Sequence, residues 1–269
     1  MKLEKYYLLL VTFFVLLAVG TGCTSADTLS GNDNQPVANI EVFLPEVNAV
    51  VSNPFHVQGQ ARVFESQFNW RLLDNGGEIL LAGNEMADAP DMEQFGPFDF
   101  WIPVPATNNE NIVLEVLDYS AKDGAPQDVV RVPLTLERID QQKIKLFFHN
   151  DKLDPTITCV TSFPVEREIV ATIAPARVAM MFLLRGPEYD ERELSYATVL
   201  SAGDTKLKAL NLQANGEAVV DLAWPPGLPI GGSCFVSAVS SEIENTLRQF
   251  ETVKSVKILI DGEEDRLQP

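Results

Sequence analysis

The stretch Phe68-Asn69-Trp70-Arg71-Leu72-Leu73-Asp74-Asn75-Gly76-Gly77-Glu78-Ile79-Leu80-Leu81 decides how the first half of the chain is read. Asn75-Gly76-Gly77 separates two apolar runs. Asn and Gly tolerate the positive φ that a tight hairpin turn demands, so the triplet predicts two antiparallel strands. Working outward, Ile40, Val42 and Leu44 alternate with solvent-compatible positions. Residues 55–64 (FHVQGQARVF), 95–104 (FGPFDFWIPV), 112–119 and 129–137 are further strand candidates. Pro103, Pro105 and Pro133 belong at strand ends or sheet edges, because proline cannot donate to a ladder. About seven short strands within residues 39–138 predict an all-β sandwich of immunoglobulin type. The cysteine pair that pins antibody domains is missing from this span.

Residues 141–262 change character. Residues 143–149 (KIKLFFH) read as a strand. Pro175 suits the first turn of a helix over 176–185 (ARVAMMFLLR), and Gly186-Pro187 ends it. Asn215-Gly216 marks a second hairpin between residues 207–212 and 218–222. Val236, Val239, Ile243, Leu247 and Phe250 then recur at three- and four-residue steps, one apolar helical stripe. Residues 256–260 close as a strand. The order β, α, β, β, α, β predicts an α+β domain with helices on one face of a sheet. Residues 263–269 read as a polar, loose tail.

The N-terminus has the layout of a secretory signal over residues 1–22. Lys2 and Lys5 supply charge, residues 6–19 (YYLLLVTFFVLLAV) an apolar run, and Gly20-Thr21-Gly22 small residues before Cys23. The run is shorter than the roughly 20 residues a spanning helix needs. Gly20-Thr21-Gly22-Cys23 resembles the lipobox of bacterial lipoproteins, with Gly20 where that family usually has Leu. The resemblance implies cleavage before Cys23 and a lipid on its thiol. An ordinary cleaved signal and an uncleaved anchor are the other readings, and all three export the chain. Residues 23–38 are small and polar and read as a flexible tether.

With 38 acidic and 20 basic residues the chain carries a net charge of −18. That excludes a basic nucleic-acid footprint and charge-driven adhesion to anionic lipid. It leaves either a solvated surface or a basic partner. Of the three cysteines, Cys159 and Cys234 remain if Cys23 carries lipid. An exporting, oxidising compartment favours a disulfide between them, and two buried thiols are the alternative.

Further matches lie in separated motifs. Val51-Ser52-Asn53-Pro54-Phe55-His56-Val57-Gln58-Gly59, residues 61–65 (ARVFE) and residues 118–124 (DYSAKDG) resemble the immunoglobulin-like domain of bacterial spore-germination and envelope lipoproteins. Residues 163–167 (FPVER), 183–187 (LLRGP) with Glu191, Gly232-Ser233-Cys234, residues 246–250 (TLRQF) and Ile260-Asp261-Gly262 resemble the GerMN, or sporulation and spore germination, domain. The resemblance implies a non-enzymatic, cofactor-free envelope protein. It would act as an adaptor or assembly factor whose partner is another envelope protein or a second copy.

Catalytic signals are weak. Only His56 and His149 are available to a triad, and no nucleophile elbow is present. No carboxylate pair stands out for glycan hydrolysis. Neither residues 88–93 nor 263–265 has the loop spacing of a calcium site. Trp70 and Trp101 are either core residues or sugar-stacking platforms. Asp123-Gly124 supplies a bend, or else tips a recognition loop. Arg167 and Glu191 either pair to fix a helix against the sheet, or leave Arg167 to take an acidic ligand group. The rival function is therefore a peptidoglycan- or carbohydrate-binding module.

Overall fold

The computed structural model describes residues 38–91, 94–200 and 205–267. The signal segment, Cys23 and almost all of the tether lie outside the described residues. Residues 38–269 form one compact unit, which is mostly β and holds two hydrophobic cores.

Two sheets make the first domain. β1 (Ile40–Leu44), β3 (Phe55–Ala61) and β6 (Gly96–Ile102) form one, in the order β1-β3-β6. The other has the order β2-β8-β7-β4-β5. It contains β2 (Val50–Val51), β4 (Gln67–Asp74), β5 (Ile79–Met86), β7 (Asn111–Tyr119) and β8 (Pro126–Leu136). Alternate residues of the facing sheets fill the core, with Val57, Phe98 and Phe100 set against Phe68, Leu72, Leu114 and Leu134. This is the expected immunoglobulin-like sandwich with one added two-residue strand. The chain bends into a 3-10 turn at Phe64–Ser66, which ends β3 earlier than the pattern predicts. Gly59 is required where it stands, because a Cβ there would lie 2.1 Å from the Glu41 carbonyl oxygen. Pro133 shows how an edge takes proline. Its carbonyl accepts the Asn48 N–H at 2.7 Å on the side of β8 away from β7, so its ring nitrogen also faces that side.

On the outer face of the larger sheet, Glu115 is 2% exposed between cross-strand neighbours Arg71 and Arg131. Burial pushes its carboxyl up, but hydrogen bonds from Arg131 and Arg71 outweigh this and hold it below its ordinary value.

The second domain departs from the expected order. It contains β9 (Gln141–Asn150), β10 (Phe163–Val170), α1 (Pro175–Arg185), α2 (Tyr189–Glu193), β11 (Tyr196–Ala197), β12 (Lys206–Leu212), β13 (Glu217–Ala223), α3 (Ser233–Arg248) and β14 (Ser255–Ile260). Strand therefore outweighs helix, and there are two three-stranded sheets, β10-β9-β11 and β12-β13-β14, instead of one. α1 and α3 pack on each other. Both also touch β9, while α1 reaches β12 and α3 reaches β14. One core joins all of them. The polar tail is less loose than expected through Leu267: Arg266 pairs with Asp261, Lys257 with Glu264 at 2.5 Å, and Leu267 packs on the core.

The motif at 246–250 has a structural reason. β11 covers only two residues of β9, at Asn150 and His149, which leaves much of that edge open. α3 closes it with side chains. The Thr246 hydroxyl accepts the Phe147 N–H at 3.1 Å, Gln249 Oε1 accepts the Lys145 N–H at 2.8 Å, and Gln249 Nε2 donates to the Lys145 carbonyl at 2.6 Å. A helix thus blunts an edge that would otherwise invite pairing.

Candidate functional site

The junction between the domains is built rather than hinged. Pro105 bridges Ile169 in antiparallel fashion, the Ala106 N–H donates to the Glu168 carbonyl at 3.0 Å, and the Val170 N–H donates to the Val104 carbonyl at 3.3 Å. Residues 104–106 thus extend the sheet of β9 and β10. Successive residues of β10 point into different cores, Ile169 into the second and Val170 into the first. Asn53 sits at the centre, only 4% exposed. Its amide donates to the carbonyls of Val104 (3.2 Å) and Val170 (2.6 Å), and its Oδ1 accepts the Val104 N–H at 2.9 Å. The Thr172 hydroxyl donates to the Asn53 carbonyl.

Beside the junction lies a cleft of about 720 Å³ bordered by both domains. Two arginines of α1 cross it onto tryptophans of the sandwich. Arg177 lies 5.1 Å from the Trp101 ring centre and Arg185 5.6 Å from that of Trp70. Arg185 also donates to the Ala82 carbonyl, and Lys206 pairs with Glu85. Trp70 is core, as one of its two readings holds. Trp101 is not core: it is 41% exposed. Its ring is stacked with His56 at 4.6 Å as well as with Arg177, which disfavours it as a platform for a sugar. His56 in turn bonds Asp99 at 2.6 Å and holds that carboxyl below its ordinary value.

The remaining predicted residues fall elsewhere. Arg167 on β10 bonds Glu191 on α2 through Nε at 3.0 Å and through a second contact, and reaches Glu188 at 3.0 Å. Arg167 is 10% exposed, so its fork is spent on the protein. The helix it fixes is α2, which the sequence pattern did not reveal. Asp123 and Gly124 form the β7–β8 turn, where Asp123 Oδ1 accepts the Ala125 N–H at 3.2 Å and Gly124 has φ 69°. Cys159 and Cys234 are joined by a disulfide across 75 residues, tying the 150s loop to the start of α3.

Sequence reasoning missed Glu242. This carboxylate lies on the apolar stripe of α3, 0% exposed, and bonds His149 Nδ1 at 2.6 Å and the Thr198 hydroxyl. Its only sequence signal is a charge inside the helical stripe. The Glu242 hydrogen bond raises the pKa of His149 above the ordinary 6.5, and burial raises that of Glu242 above 4.5. A raised folded pKa contributes stability below the unfolded value and loses it as pH climbs through the folded one. Both groups carry that sign. The urea midpoint is therefore expected to fall as pH rises above the ordinary histidine value of 6.5, and a His149→Gln/Glu242→Gln variant should flatten that slope. A midpoint that rises with pH would contradict the arrangement.

With this geometry in view, the comparisons are specific. Residues 39–125 match the immunoglobulin-like domain of bacterial spore germination, and residues 145–266 match the sporulation and spore germination domain. The chain is a tandem of these two germination domains. The tandem GerMN domains of the sporulation protein GerM from Bacillus subtilis are similar at 16% identity and TM-score 0.33. That match covers 46% of this chain and 41% of the GerM chain. The first GerMN domain of GerM is similar at 17% identity and TM-score 0.31, over 46% and 85% of the two chains. CopC from Methylosinus trichosporium OB3b is similar at 17% identity and TM-score 0.23, over 36% and 88%. No curated protein matches the tandem in sequence. Its first domain extends past the matched residues, because β8 runs on to Leu136. Among the described residues no helix is long and apolar enough to cross a membrane.

Proposed function

We propose that the tandem is a non-enzymatic adaptor of the bacterial envelope, exported and held at a membrane by lipid on Cys23, and acting in sporulation or germination. The junction around Asn53 carries this reading. It fixes two interaction domains against each other, as suits a part that sets the distance and angle between other components. The domain descriptions supply the process, and the residues before Cys23 supply the anchor.

The test is fractionation and crosslinking in intact cells. Wild-type protein is expected in the membrane fraction with reproducible protein crosslinks, and Cys23→Ala protein in the soluble extracytoplasmic fraction. Tight membrane retention of Cys23→Ala would point to an uncleaved apolar anchor. Saturable binding to purified peptidoglycan, with no protein crosslinks, would favour the glycan-binding module.

A further inference from the structure

The cleft between the domains has a feature that neither domain shows alone. Two terminal strands border it. β5 is the last strand of its sheet and β12 the last of its own. A strand presenting its face to a cavity contributes every second residue, because side chains alternate. Here the lining residues run without gaps, from Ala82 to Met86 on β5 and from Lys206 to Lys208 on β12, with Thr205 just before it. An unbroken run fits a strand met edge-on, and the Ala82 carbonyl, which accepts Arg185, is one backbone group turned that way. Native proteins usually blunt such edges, as α3 does for β9, because an open edge is a template for pairing.

The charge of the cleft runs against that of the chain. Arg177, Arg185, Lys206 and Lys208 line it, with Glu85 and Asp99 the acids among its lining, in a chain of net charge −18. Lys206 is paired with Glu85, and Lys208 lies 3.8 Å from Asp221 and 4.0 Å from Asp261 at the edge of the cleft. Among the described residues Arg177 has no carboxylate within ion-pair distance, whereas Arg185 already donates to the Ala82 carbonyl and feels the charges of Glu188 and Glu85. The ε-nitrogen of Arg177 is closed off from solvent with no hydrogen-bond partner among the described residues. Burial lowers the pKa of Arg177 accordingly. A partly desolvated guanidinium without a counter-ion gains from an incoming carboxylate more than a solvated one does.

We propose that this cleft is a docking site for an extended acidic peptide segment of a partner protein. The peptide adds as a strand along β5 or β12 and sets its carboxylates against Arg177, Arg185 and Lys208. The five cleft-lining residues of β5 offer about 17 Å of edge at about 3.4 Å per residue. Backbone pairing supplies affinity and the cations supply selection for acidic side chains, as in other strand-addition interfaces. The inference deepens the adaptor reading by naming the chemistry of its partner.

The test is fluorescence anisotropy with the full chain in mild detergent. The probe is a short labelled peptide of alternating glutamate and threonine. Comparison peptides replace glutamate by lysine, or carry N-methyl groups on alternate backbone nitrogens. Saturable binding of the acidic peptide is expected, weakened about tenfold or more by N-methylation, by Arg177→Gln and by Lys208→Gln. High salt should weaken it as well. Unchanged thermal unfolding of the Lys208→Gln protein separates lost binding from lost fold. Equal binding of the N-methylated peptide would overturn strand addition. Equal binding of the lysine peptide, or no saturable binding, would overturn the site. The adaptor reading would survive that result if in-cell crosslinks persist in Arg177→Gln protein, so the two can fail separately.

Discussion

Replacing Asn53 with alanine is expected to destabilise the tandem by about 4 kcal/mol and to lower its melting midpoint by roughly 10 °C. Asn53 satisfies groups on both sides of the junction. Without its amide, the Val104 N–H and the Val170 carbonyl are left buried with no other partner among the described residues. Each such group costs about 1–3 kcal/mol. The Val104 carbonyl suffers less, because it also accepts the Val170 N–H. The loss should be felt by both domains at once, since Val170 belongs to the first core and Ile169 to the second. Calorimetry checks this. A wild-type midpoint for the variant would mean that the junction contributes little to stability, and a drop confined to one domain would mean that it does not couple the two.

Arg167→Ala is expected to cost about 3 kcal/mol or more, because removing one partner of a buried pair leaves the other charge uncompensated. Glu191 is 14% exposed and takes two bonds from Arg167. It also accepts the Glu188 N–H at 2.6 Å, which closes the capping box of α2. The truncation should therefore loosen α2 as well as lower stability. Urea denaturation measures the first effect and amide exchange over Tyr189–Glu193 the second. Replacing Arg167 and Glu191 together by methionine should lose less than Arg167→Ala alone, because no unpaired charge remains at that position. The opposite ranking would show that the pair stabilises by more than mutual neutralisation.

The legible parts of the sequence were those that a local rule governs. Pro175 and Gly186 bracket α1 as expected, Asn75 to Gly77 and Asn215-Gly216 turn where they should, and the stripe from Val236 to Leu247 lies on α3. β10 escaped because Glu166, Arg167 and Glu168 interrupt its apolar content, and because Arg167 faces another element's acids rather than water. The split into two sheets escaped for a different reason. Strand pairing is a long-range choice that periodicity does not encode. Asn53 and the cleft were hidden in the same way: Asn53 precedes a proline and reads as an ordinary turn residue, and the cleft residues lie as far apart in the chain as Trp70 and Ala223. Arg167 and Glu191 were singled out as a pair by their place in the germination motifs, not by spacing.

The junction also bears on how the molecule can be divided. The span between residues 138 and 141, where composition shifts, looks like the natural place to cut. A fragment ending there would keep Val104 to Ala106 but lose the β10 backbone that they bond. A fragment beginning there would carry Val170 stripped of its surroundings in the first core. Either half would leave fresh backbone and apolar surface uncovered, and so would tend to self-associate. Chimeras that exchange one half for a homologue's would need the segments around Asn53, Val104 and Val170 exchanged as a set, which makes the two halves a single unit of inheritance as well as of structure.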